Sequence, residues 1–297
     1  MVTRVPDTSS HGVATGTSTP TSVAGPVRRN VDRQSARQRA RKSMRPVVRG
    51  AAGVAIFLAI AQIATSVGWL GDSFPTMLQI LDAAYGLLRD GEFATAMGWT
   101  MAAWSLTMLL TVLIAVPLGI AIGSLPIVAR AVVVPIEILR NLPAVALIPI
   151  FMLAAGTETR MKVILALLAA LWPTLLNTLY GTKDIDPVGV STAKSFRMPR
   201  RAILRWVVMP SIASFVFTGI RISAGLALVV VVGAELVAGS PTGIGSYILG
   251  ASLVGDTRLV LGASVLAGVL GIAINLVLTL VENRLFAWRH GMDGVSR

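Results

Sequence analysis

An all-α membrane protein with six transmembrane helices is the fold class this sequence predicts, and three observations predict it. Of 297 residues, 54% are hydrophobic and only 13% are charged, about half the charged share of an ordinary soluble domain. The apolar residues gather into runs of roughly 20 or more, the length a helix needs to cross about 30 Å of hydrocarbon. The net charge of +12 is concentrated in segments that flank those runs, which is the mark of the cytoplasmic side.

The elements follow in order. Residues 1–46 are rich in Ser, Thr, Gly and Pro and then in Arg, without apolar periodicity. Such a segment buries too little surface to offset its ordering entropy, so a disordered basic cytoplasmic tail is expected. Its length and the late apolar run argue against a cleaved leader, and the run is read as a retained first span. Residues 47–297 are expected to form the transmembrane domain. Its spans are expected at Val48–Leu70, Thr100–Leu125, Ala131–Ala155, Met161–Gly181, Ser211–Ala238 and Val260–Glu282.

The connection Gly71–Trp99 carries Asp72, Asp82, Asp90 and Glu92 against Arg89, which suits the outer side. Within it, Ser73-Phe74-Pro75 reads as a helix start. Met77, Leu78, Leu81, Ala84, Tyr85 and Leu88 then make an apolar stripe at helical spacing, so an interfacial helix is expected. An even number of spans returns both termini to the cytoplasm. Arg160 and Lys162 are the only discord, two cations on an otherwise outer turn. No internal repeat is visible, so a second copy is expected to supply the other half of the path.

Absences narrow the function. Zero cysteines and two histidines leave no thiolate or histidine metal site. No G-x-x-x-x-G-K-[ST] loop is present to cradle ATP phosphates, nor a zinc-protease or serine-hydrolase signature. A catalytic role is not expected. The positive charge lacks an aromatic-interleaved basic face, so nucleic acid is not an expected partner; membrane lipid is.

The chemistry-bearing segment is the loop 184–208. Lys183–Arg205 holds six Lys or Arg against Asp184 and Asp186. Asp186 is placed to cap a helix that opens at Pro187. Pro199 ends that helix or opens the next, which carries Arg200, Arg201 and Arg205. Pro210 precedes the fifth span. The loop reads either as a solvated positive-inside segment or as a pair of short helices that dock a separate cytoplasmic ATPase.

Inside the spans, Arg140 and Arg221 lie at depths where an unpartnered charge costs a few kcal/mol or more. Either they form a cationic lining that attracts anions, or one of them pairs with Glu137. Glu235 is fourteen residues from Arg221, about 21 Å along a helix, so those two do not pair. Glu235 reads as a gate, a receptor contact or a helix-end hydrogen bond. Pro117, Pro143, Pro149 and Pro173 interrupt spans, and the proline-dense third span is the preferred pore wall. Asn141 and Asn177 are its polar candidates. Gly119 and Gly123 are spaced for close helix packing.

Together these fragments resemble the binding-protein-dependent ABC importer permeases of the nitrate, sulfonate, taurine and bicarbonate group. The resemblance runs from about Trp99 to Trp288. It rests on Val116-Pro117-Leu118-Gly119, Leu139–Pro143, Ala146–Pro149, Pro173–Thr178, Thr218–Arg221, Ala234–Gly239 and Gly243-Ile244-Gly245. It implies the type I importer permease fold and a homodimer. It also implies two cytoplasmic ATPase subunits that hold ATP and Mg, and a periplasmic or lipid-anchored binding protein. No cofactor is expected in this chain. The ATPase would dock on Ser191, Thr192, Ala193, Lys194, Arg197, Pro199, Arg200, Arg201 and Arg205. Arg140, Asn141, Pro143, Asn177, Arg221 and Glu235 would belong to the solute path. The solute would be a small anion.

Two positions depart from the family pattern: Ser191 stands where a glutamate is usual, and Arg197 where a glycine is usual. The loop helices are expected to meet differently for that reason. The competing reading is a carrier driven by an ion gradient without an ATPase. It calls for inverted repeats and intramembrane acids, and Glu137 and Glu235 are the only acids in position.

Overall fold

The computed structural model describes residues 74–285, together with Gly53, Ile56, Ala59, Ile60, Gln62 and Ile63, which are helical. The expected tail 1–46 and most of the expected first span lie outside the described residues.

Thr76 caps the first helix, α1 (Met77–Leu87). Its hydroxyl accepts from the Gln79 N–H while the Gln79 side chain accepts from the Thr76 N–H, a capping box. The helix therefore begins just past the Ser73-Phe74-Pro75 signal. Its inner face is Ile80, Ala84 and Leu87, all buried, and it packs on the last helix, where Gly262 admits its backbone. Of the expected stripe, Leu78, Leu81, Tyr85 and Leu88 lie on the opposite face and stay exposed, whereas Ala84 turns inward and Met77 is half-buried. The helix is thus apolar on two sides, one for protein and one for its surroundings.

Next come α2 (Gly91–Gly123), α3 (Pro126–Leu139), a 3₁₀ turn (Ala144–Leu147) and α4 (Ile148–Ala155). They are followed by α5 (Thr159–Lys183), α6 (Pro187–Ser195), α7 (Arg200–Ile203) and, after a π turn (Leu204–Val208), α8 (Met209–Ala238). The chain closes with α9 (Ile244–Leu253) and α10 (Thr257–Leu285). Helices α2, α5, α8 and α10 are each long and apolar enough to cross a membrane. They answer to the second, fourth, fifth and sixth expected spans.

The third expected span is not one straight helix. Its two halves, Pro126–Leu139 and Ala144–Ala155, meet at 72°. Pro143 has no N–H to offer the preceding turn and disfavours the helical region for Leu142. Residues Arg140–Pro143 unwind there.

A second correction concerns Pro210. It was expected just before the fifth span, yet it lies inside a helix, because α7, the π turn and α8 form one continuous helix, Arg200–Ala238, of 39 residues. Proline clashes with the carbonyl four residues back and donates no bond to it. Widening the preceding turn to a π turn relieves that clash without ending the helix.

Helix α5 is the centre of the bundle, sandwiched between α2 and α8. On one side Gly119 and Gly123 press on Thr178 and Thr182; a Cβ at either glycine would stand 2.6–2.7 Å from the threonine Cβ. On the other, Gly219 meets the Thr174 backbone and Gly181 meets Phe215. Polar bonds complete the seam. Trp104 Nε1 donates to the Ala224 carbonyl at 2.9 Å, and the Thr174 and Ser223 hydroxyls lie 2.8 Å apart. Ser223 also donates to the Ala170 carbonyl. The apolar core beside this seam comprises Ala103, Ile148, Met161, Leu165, Val231 and Ala234. Leu153, Val229 and Ile272 are 92%, 65% and 70% exposed, an apolar outside suited to lipid.

Candidate functional site

One end of the bundle carries the loop and the other carries α9. At the loop end, Asp186 caps α6 by accepting from the Val188 N–H at 2.8 Å. The helix stops in a Schellman turn: the Met198 N–H donates to the Ala193 carbonyl at 3.1 Å and the Arg197 N–H to the Lys194 carbonyl at 2.8 Å. Arg197 takes the left-handed conformation this requires, with φ 54°, alone among the described non-glycine residues. The backbone thus keeps the turn in which a glycine is usual and tolerates an arginine in it.

Ser191, Thr192, Lys194, Arg197, Pro199, Arg200, Arg201 and Arg205 are all exposed. Ala193 is buried, as is Ile203 of α7, so Ala193 holds the loop's own packing and offers no side-chain surface. Sequence reading passed over the apolar members of this face. Val188, Phe196 and Trp206 are 67%, 78% and 68% exposed and stand among the five cations. Their signal was present: large apolar residues in a segment too charged to enter a membrane.

The six path candidates do not gather in one place. Arg140, Asn141 and Pro143 sit together at the break between α3 and the 3₁₀ turn, and all three are exposed. Arg140 caps the C-terminal end of α3, where a cation suits the helix dipole, and it makes no ion pair among the described residues. Glu137 instead accepts a long bond of 3.5 Å from Tyr180 Oη. Asn141 Nδ2 donates to the Glu137 carbonyl.

Arg221 is not paired with Glu137 either. It bonds Glu282 of α10 at 3.0 Å, so its charge is already balanced. Asn177 spends its amide on the Pro173 carbonyl at 2.8 Å, within its own helix.

Glu235 lies at the α9 end, wholly buried, with Lys162 Nζ at 2.7 Å. The cation that looked discordant on an outer turn is therefore a core residue. Thr100 Oγ1 donates to Glu235 Oε2 at 2.9 Å and the Gly245 N–H donates to the same oxygen at 3.1 Å. Lys162 also donates to the Thr242 carbonyl at 2.9 Å, and the Ile244 N–H donates to Thr100 Oγ1 at 2.9 Å. Three spans and the loop into α9 meet at one carboxylate. Gly243 makes this possible: at φ 121° it lies so close that a Cβ would fall 2.1 Å from the carboxylate.

Beside this knot a cleft of about 660 Å³ opens, its wall including Glu92, Thr95, Trp99, Thr242, Ser246 and Tyr247. The Ser246 hydroxyl is buried without a hydrogen-bond partner among the described residues. Tyr247 stacks edge-on against Phe93 with centroids 5.3 Å apart and donates to Asp90 Oδ2 at 3.2 Å. Burial, with the Asp90 carboxylate beside it, pushes the Tyr247 phenol up to about 12.

No group of three or more His, Cys, Asp or Glu that could hold a metal occurs among the described residues. The arrangement has the parts of a conduit: an exposed basic and aromatic face at one end, a cleft at the other, and a broken span between.

Comparison with known proteins agrees. Residues 115–288 match the family model described as binding-protein-dependent transport system inner membrane component. The chain is 30% identical over 223 residues to the taurine transport system permease protein of Escherichia coli, which covers 73% of this chain and 80% of that one. It is 25% identical over 258 residues to the nitrate import permease protein of Synechocystis sp., covering 80% and 88%. These matches set aside the carrier driven by an ion gradient. A model match across more than half of the chain, on an all-α membrane scaffold, identifies it as a member of the family of inner membrane components of binding-protein-dependent transport systems.

Proposed function

We propose that this chain forms the conduit of an ABC importer as a homodimer, with its loop end in the cytoplasm and its α9 end facing outward across a bacterial inner membrane. Two ATPase subunits, holding ATP and Mg, dock on the loop 184–208. A periplasmic or lipid-anchored binding protein delivers solute at the α9 end, where the cleft beside Trp99 and Tyr247 receives it.

The observation that carries this reading is the unbroken helix Arg200–Ala238. Its first turns are exposed and basic, and its remainder packs along α5 at the centre of the bundle. A displacement imposed at Arg200–Val208 is carried along that helix to Glu235 and the cleft. Closure of the motors can thereby switch the access of the path. Phe196 and Trp206 supply apolar anchors and the cations a polar rim, the composition of a protein-docking surface.

The solute is a small anion of the taurine, sulfonate, nitrate or bicarbonate kind. Support comes from Arg140, a cation without an ion pair among the described residues, at the break of a span; two-fold symmetry doubles it. Arg221, neutralised by Glu282, and Asn177 serve packing.

The test is reconstitution with the ATPase and the binding protein. Deleting Ser195–Arg201 should abolish co-purification with the ATPase while membrane insertion persists. Arg140→Gln should depress uptake of an anionic solute without loss of assembly. Solute accumulation by the chain alone, without nucleotide hydrolysis, would overturn the reading.

A further inference from the structure

At the loop end, Gly123 brings α2 so close to α5 that a Cβ there would stand 2.7 Å from Thr182 Cβ. Just beyond that contact lies a cavity of about 420 Å³, lined by Gly123, Pro126, Arg130, Thr182 and Lys183. Both charged residues of its wall are cations, and they come from different helices. Neither takes part in an ion pair among the described residues, and no carboxylate lines the cavity. The nearest acid in sequence, Asp184, forms the C-cap of α5.

The neighbouring turn is apolar and open. Leu125, Ile127 and Val128 are 55%, 85% and 38% exposed. A hollow whose charged wall residues are both cations, beside exposed aliphatic side chains and where two membrane-length helices end, matches both parts of a phospholipid. The headgroup phosphate meets the cations and the acyl chains meet the aliphatic side chains. A soluble acidic partner would use the cations and leave Ile127 without a purpose.

We infer that this cavity binds the phosphate of an anionic phospholipid from the leaflet at the loop end. Arg130 supplies a fork for two phosphate oxygens and Lys183 a point charge. The site rests on the proposed orientation only in naming that leaflet the cytoplasmic one.

The experiment is native mass spectrometry of the full chain taken from bilayers of equal phosphatidylcholine and phosphatidylglycerol. The wild type should retain phosphatidylglycerol preferentially. The double variant Arg130→Gln, Lys183→Gln should lose that preference, by roughly fivefold per cation removed. The charge-keeping pair Arg130→Lys, Lys183→Arg should retain it, and equal melting temperatures would establish that all three are folded.

Equal retention by the wild type and the glutamine variant would overturn the site. Displacement of the lipid by millimolar inorganic phosphate would overturn the lipid assignment in favour of a free-anion site. Loss of ATPase binding with lipid retention unchanged would assign the cations to a protein partner instead. Labelling of Leu125→Cys from the outside by an impermeant thiol reagent would refute the orientation alone and leave the lipid result standing.

Discussion

Lys162 and Glu235, seventy-three residues apart, form an ion pair of 2.7 Å in which neither side chain is exposed at all. Removing two charges from water costs several kcal/mol per ion, and only full hydrogen bonding repays it. Here the carboxylate also accepts from Thr100 and Gly245, and the ammonium also donates to the Thr242 carbonyl. The pair fixes where the loop into α9 can lie.

Breaking that pair from one side should therefore be severe. Glu235→Leu leaves Lys162 buried without a counter-charge and Lys162→Met leaves Glu235 so, and a loss of about 3–5 kcal/mol is expected from each. The double change Glu235→Leu, Lys162→Met should recover most of it, because neither charge then remains. Thermal melting of the four members of the cycle in detergent checks this; additive losses would show that the two residues act independently.

The glycines of the knot and of the α2–α5 seam should differ sharply from one in open space. Gly243→Ala places a Cβ 2.1 Å from the Glu235 carboxylate at φ 121°, and Gly119→Ala places one 2.6 Å from Thr178. Each should cost about 1–3 kcal/mol through overpacking, with Gly243 the worse for its backbone. Gly225, with nothing among the described residues within 4 Å of its added Cβ, should accept alanine with a gain of a few tenths of a kcal/mol to about 1 kcal/mol. Melting temperatures of the three variants give the order directly.

Arg197 offers the reverse experiment. A side chain in the left-handed region carries a strain of about 1–2 kcal/mol, so Arg197→Gly should strengthen the turn after α6. Arg197→Val should weaken it, because a β-branched residue fits that region worst. Amide exchange at Met198, whose N–H closes the turn on Ala193, should slow in the first variant and quicken in the second. Identical exchange in both would mean the strain is absent.

Tyr247 sets a dependence on alkaline pH. Its phenol is raised from 10.0 to about 12, so the folded chain holds the proton through a window in which the unfolded chain has released it. Stability from this group is complete below pH 10 and declines as pH climbs from 10 to about 12. Tyr247→Phe removes the bond to Asp90 at a cost of about 0.5–1.5 kcal/mol and should flatten the decline. Melting of both forms between pH 9 and 12 tests this, and parallel curves would contradict it.

Much of the scaffold was readable because lipid imposes a local rule. A span needs some twenty apolar residues, whatever it packs against. The second, fourth, fifth and sixth spans follow from that rule, as does the use of Gly119 and Gly123 against a neighbour. The caps at Asp186 and near Pro75 were readable for the same reason, since a cap depends on residues three or four apart. Proline was harder. Pro117 and Pro173 stay within continuous helices, Pro143 breaks one at 72°, and Pro210 is absorbed by a π turn. Local chemistry is the same at all four; what differs is whether neighbouring backbone can shift or re-bond.

The site was less legible, because pairing is decided across the bundle. Arg221 read as part of a cationic lining or as a partner of Glu137 and is held by Glu282; Lys162 read as a charge on an outer turn and is the core partner of Glu235. One hint existed: Lys162 and Glu235 lie at similar depths from the same end of adjacent spans. By itself the sequence determined the solvent, the second, fourth, fifth and sixth spans and the basic loop, since each depends on composition along one stretch of chain. Only the tertiary structure decided which charges are spent on each other and which, like Arg140, make no ion pair among the described residues. Charge pairing depends on separations of a few ångströms between helices, and no single helix carries that information.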